Sequence, residues 1–181
     1  MSITSLKVRF ARIVTEISEQ RQSLALTYAS DLTALVTDRL LNEGESAEGN
    51  KFPLYSEKNL GVKVAEAIVK KSNKPSAKIK AGETSYKDIR RVLGLPTDKR
   101  THSFTNDMIK SIRPIVVDDN KYLTIIEISA SDSPNQKKLN ENSRRMKTNL
   151  LRANVKEREL IESLNQKRVQ NIINKWQYHK K

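Results

Sequence analysis

The chain contains no cysteine, and this one absence removes disulfides, thiolate metal sites, iron–sulfur clusters and cysteine nucleophiles together. A reducing compartment fits such a composition. Histidine is nearly as scarce. His102 and His179 stand alone, one in a polar connector and one near the end of the chain, and neither has a partner at ligand spacing, so no metal site is expected. With 5 glycines in 181 residues there is little material for a phosphate-cradling loop. No nucleophile elbow and no paired-carboxylate motif takes its place. No uncharged apolar run approaches the roughly 18 residues of a membrane span, and the N-terminus lacks a basic-then-apolar leader. These absences lead us to expect a soluble protein made in the cytoplasm, with no cofactor and no catalytic centre.

What is present is charge. Charged residues make up 30% of the chain and hydrophobic ones only 36%. A composition of this kind has a thin core, as in an elongated helical protein or one that completes its burial against other subunits. The formal net charge of +13 is unevenly placed: residues 1–50 are net −2, residues 51–115 net +9 and residues 116–181 net +6. The positive field of the last two-thirds would draw nucleic acid or an acidic protein surface without sequence preference.

From Met1 to Glu43 there is neither glycine nor proline, so nothing in the backbone chemistry interrupts a helix. Ile3, Leu6, Phe10, Ile13, Ile17 and Leu24 recur at three- and four-residue steps or their sum, and Tyr28, Leu32, Leu35 and Val36 continue the series. The pattern predicts one long helix over about 1–42, with a break near Gln20–Gln22 as the alternative. Residues 43–50, with two glycines and three acidic side chains, read as a linker. An α+β body over 51–181 follows, forming one domain with the first helix. Its predicted helices are Leu60–Lys71, with Leu60, Val64, Ala67 and Ile68 on one face, and Ser85–Leu93, opened by a Ser85/Asp88 capping box and stopped by Gly94 and Pro96.

Beyond these, Phe104–Ile112 reads as a short helix running into a β-hairpin at about 112–129. In the hairpin Tyr122, Thr124, Ile126 and Ile128 alternate on one face, and Pro114 argues that the first strand lies at a sheet edge or begins late. A lone hairpin is marginal in water, so a helix must cover it or strands from neighbouring subunits must extend it, and the long first helix is the natural cover. Two further helices are expected, one starting at Ser133-Pro134 and one at Asn154 with Glu157. The expected fold is α+β, with long N- and C-terminal helices packed on a small antiparallel sheet.

One stretch points elsewhere. Tyr86–Leu95 looks like the first helix and glycine turn of a helix-turn-helix, which would make residues 85–112 a DNA-binding module. That motif needs apolar side chains six and nine positions after the glycine, and here those are Arg100 and Ser103. Arg90 also stands where a small residue is usual. The densest basic run, Lys70, Lys71, Lys74, Lys78 and Lys80, lacks the interleaved aromatics of a base-stacking platform. It reads as a solvated basic loop able to touch DNA or an acidic partner.

Three segments carry a resemblance: Lys51-Phe52-Pro53-Leu54-Tyr55-Ser56, then Thr105-Asn106-Asp107-Met108-Ile109-Lys110-Ser111-Ile112, then the helix start at Asn154. In their order along the chain they resemble the virion-morphogenesis group of tailed bacteriophages, the neck or tail-completion proteins that join head to tail. The family's usual glycine after the threonine is Asn106 here. The resemblance implies a structural virion protein that forms a ring of copies of itself, meets portal or connector and tail proteins, contacts DNA non-specifically and touches no membrane. It further implies Ile3, Leu6, Phe10, Ile13, Phe52 and Tyr55 as subunit-interface candidates, with the basic run facing a DNA lumen or an acidic connector.

Overall fold

The computed structural model describes residues 3–70, 72, 84–98, 107–120 and 123–178, with side chains given except at 3–6, 9 and 176–178. In chain order the elements are α1 (Ile3–Asp38), a π-helical turn (Arg39–Glu43), α2 (Val62–Lys70), α3 (Tyr86–Val92), α4 (Asp107–Lys110), β1 (Ile112–Asp119), β2 (Thr124–Ala130), α5 (Ser133–Met146) and α6 (Val155–Tyr178). The fold is α+β, its described sheet being the two-stranded hairpin β1–β2. Two compact units share the chain by interleaving. One is built from Met1–Leu35, Arg113–Ser129 and Val155–Lys181, the other from Val36–Ile112 and Ala130–Asn154.

The first unit combines α1, the hairpin and α6. The helix is unbroken through Gln20–Gln22, because a lapse in the apolar stripe costs nothing when a side chain there finds other work. Arg21 does so: its guanidinium donates to Thr124 Oγ1 at 2.9 Å, to Asp119 Oδ1 at 3.0 Å and to the Asn120 carbonyl, fastening α1 to the tip of the hairpin. α6 runs antiparallel to α1, since Asp31 pairs with Arg168 and Glu16 with Lys175. In the hairpin Asn120 N–H donates to the Leu123 carbonyl at 2.9 Å, while Ser131 N–H donates to the Ser111 carbonyl at 2.8 Å. Between these bonds β1 holds one residue more than β2, which requires a one-residue bulge. Strand alternation then turns Pro114, Val116, Thr124, Ile126 and Ile128 inward and Ile115, Val117, Leu123 and Ile125 outward.

The second unit has its clearest core between α2 and α3, where Ala65, Val69, Ile89 and Leu93 are buried with Leu60, Ile68 and Leu95 against them. The face expected for α2 is thereby corrected. Val64 and Ala67 point outward and Ala65 and Val69 inward. Six of the nine α2 residues are apolar, so periodicity alone is ambiguous, and the position of Ile89 and Leu93 selects the face. The capping box of α3 forms as expected: Asp88 N–H donates to Ser85 Oγ at 3.2 Å and Ser85 N–H to Asp88 Oδ2 at 3.1 Å. Gly94 follows at φ 71°, the left-handed conformation that ends the helix.

Residues 43–50 form a hydrogen-bonded turn instead of a free linker. Gly44 takes the left-handed cap of the π turn, and Ser46 N–H donates to the Asn50 carbonyl at 2.9 Å. The acidic side chains are used in place: Glu48 reaches Thr148 Oγ1 at 3.2 Å and Arg152 at 3.4 Å. Arg39, buried at the start of the π turn, donates to the carbonyls of Glu45 at 2.7 Å and Arg152 at 2.8 Å. One guanidinium therefore ties the turn to the chain that leads into α6.

Candidate functional site

The six residues implied as interface candidates separate into two groups. Phe10 lies on α1 with 63% of its surface exposed, and Ile13 is half-buried beside it. The side chains of Ile3 and Leu6 lie outside those described. Phe52 and Tyr55, by contrast, are buried within the second unit and serve its own interior. The Tyr55 ring lies 5.5 Å from that of Tyr86, and the Arg90 guanidinium sits 4.2 Å over it. Aromatic residues in an extended segment read equally well as an anchor for another subunit or for the same chain, and the cation–π contact with Arg90 holds Tyr55 in the latter role.

Arg90 decides a second matter. It is fully buried, and its Nε donates to the Pro96 carbonyl at 3.0 Å, so the α3 turn is built around it. A side chain in this position does not reach a phosphate or a base edge. Its neighbour Arg91 is exposed and pairs with Asp88 at 2.7 Å. The described part of α4 is four residues long, short for a recognition helix. Of the basic run, Lys70 is exposed at the end of α2, while Lys71, Lys74, Lys78 and Lys80 lie outside the described residues.

What the sequence reading missed is the outer face of the hairpin. Ile115, Val117, Leu123 and Ile125 are all exposed, Val117 by 60%. The signal was present, because β-branched or aliphatic residues occupy both alternating sets in the two strands. Such a strand is made for burial on both sides. On its inner side the hairpin meets α1 and α6 across a cleft of about 460 Å³, lined by Ile17, Leu24 and Tyr28 of α1, Thr124, Ile126 and Ile128 of β2, and Asn165 and Val169 of α6. Asn165 Oδ1 is buried there without a hydrogen-bond partner. Among the described residues, no element of its own unit buries the outer side.

Electrostatics at the hairpin tip are local. The Thr124 hydroxyl and then the Arg21 guanidinium hold the Asp119 carboxyl below its ordinary range. Among the described residues no cluster of histidine and carboxylate side chains could hold a metal ion, and no helix is long and apolar enough to cross a membrane. Compared with family models, with curated proteins and with solved structures, the chain matches none.

Proposed function

We propose that this chain is a structural assembly subunit of a tailed-phage particle, a neck or tail-completion protein that joins the head to the tail as a ring of identical copies. One observation carries the reading: a two-stranded hairpin apolar on both sides, covered on one and bare on the other. A sheet of two strands is marginal by itself, and an open apolar side in a chain with a thin core is the usual mark of burial completed by association. The basic balance of residues 51–181 supports contact with DNA or with acidic connector surfaces in such a junction. The mechanism is adhesion and sealing, because heterologous contacts that close give a ring without any chemistry. A DNA-binding module at 85–112 has less support, since Arg90 is interior.

The test is made on particles. Virions of the virus that encodes the chain should contain it in several copies, and removing its gene should leave filled heads and free tails unjoined. Normal infectious particles formed without it would overturn the proposal.

A further inference from the structure

The first unit has a cleft where its core belongs. Ile17, Leu24 and Leu32 of α1, Ile126 and Ile128 of β2 and Val169 of α6 converge on it, and every one of them is only half-buried. The second unit, by contrast, encloses its aliphatic side chains, with Ile89 and Leu93 buried against Ala65 and Val69. From Ile17 to Leu32 the cleft follows α1 for about 22 Å at 1.5 Å per residue. Its volume of about 460 Å³, spread along that length, leaves a cross-section of roughly 20 Å², the width of one extended hydrocarbon chain. The volume also falls within the range of about 300–1,000 Å³ typical of small-molecule sites.

The polar groups along the cleft select among apolar ligands. Arg21 is the charged residue among those that line it, and Asp119 pairs with it at 3.0 Å, so no charge is left over for a carboxylate or an ammonium group. The Thr124 hydroxyl is occupied too, accepting from Arg21 Nε at 2.9 Å and donating to Asp119 Oδ1 at 2.6 Å. Asn165 differs from both. It lines the cleft one turn before Val169 on α6, and its Oδ1 is buried with no hydrogen-bond partner. An acceptor enclosed in this way carries a desolvation cost until a donor reaches it. Water suits the place poorly, because a buried water wants about two to four polar partners and aliphatic carbon dominates these walls. We propose that the cleft binds a neutral, unbranched aliphatic molecule with a single hydrogen-bond donor such as a hydroxyl, its hydrocarbon lying along α1 and its donor meeting Asn165 Oδ1. The site is on the inner side of the hairpin, opposite the bare face, so it stands or falls separately from the assembly reading.

The experiment titrates the 181-residue protein with n-decanol, its methyl ether and decanoate, followed by calorimetry and by melting temperature. The alcohol should bind saturably at one equivalent and raise the melting temperature. The ether cannot donate and the decanoate brings an unmatched charge, so each should bind roughly tenfold more weakly or worse. Asn165→Leu should erase the preference for alcohol over ether by removing the acceptor. Ala25→Phe, which places a ring in the cleft from α1, should abolish binding of all three with an unchanged circular dichroism spectrum. Should that variant fail to fold, the ratio of alcohol to ether affinity in Asn165→Leu decides alone. No saturable binding by the parent, equal affinity for alcohol and ether, or a preference that survives Asn165→Leu would overturn the proposal.

Discussion

At the scale of single residues, adjacent arginines of α3 show how little a formal charge says about its role. Arg90 is interior, clasped by the Pro96 carbonyl and the Tyr55 ring, whereas Arg91 lies in solvent beside Asp88. Arg90→Ala should lower stability by about 3 kcal/mol in urea denaturation, as a buried cation's partners and volume are lost together. Arg91→Ala should change it by less than about 0.5 kcal/mol. Equal effects would contradict the assignment. Asp88 supplies a pH dependence. The Ser85 hydroxyl and backbone N–H hold its carboxyl below the ordinary 3.8. A carboxyl depressed in the folded state stabilises fully above its unfolded value, and that contribution is lost as pH falls below about 4 through the lower folded value. Stability measured from pH 6 to pH 2 should therefore fall less in Asp88→Asn than in the parent, relative to each protein at pH 6. An identical slope would show that the capping carboxylate is not coupled to folding.

At the scale of elements, the helix ends are specific enough to be altered one at a time. α5 starts on the Asp132 side chain, which accepts the Asn135 N–H at 2.9 Å, and ends at Lys147, held at φ 54°. Thr148 N–H reaches the Ser143 carbonyl at 3.1 Å and Lys147 N–H the Arg144 carbonyl at 3.2 Å, the paired bonds of a Schellman stop that favours glycine. Lys147→Gly should raise stability by roughly 0.5–1 kcal/mol, read as a higher urea midpoint, and a fall would contradict the left-handed assignment. The Ser85 box, the Gly94 stop, the hairpin and the long helices were legible in the sequence because each is fixed by residues a few positions apart. Three features were not, because each depends on distant partners. The face of α2 is chosen by Ile89 and Leu93, the order in residues 43–50 by Arg39 and Arg152, and the burial of Tyr55 by Arg90. The start of α5 at Ser133-Pro134 was legible too, with Asp132 supplying the cap in front of it.

At the scale of the whole molecule, the chain uses its apolar residues sparingly. Ile161, Val36, Leu40 and Leu150 are fully enclosed, while Phe10, Val14, Val117 and Leu123 are left in solvent. Exposing large aliphatic residues on both a helix stripe and a strand face is costly for an isolated monomer and useful for one that associates. The sequence hinted at this through its low hydrophobic content, but it did not identify the surface. On α1, periodicity marked Phe10 but placed Ile13 in the stripe instead of the exposed Val14; the bare side of the hairpin required knowing which side α1 covers. Whether this chain acts as an assembled subunit is read from the mass of the 181-residue chain in solution, measured by light scattering over a hundredfold range of concentration. An integral multiple of 20.7 kDa that reaches a fixed value is the expected result, as a closed ring requires. A constant mass of 20.7 kDa across the range would contradict it.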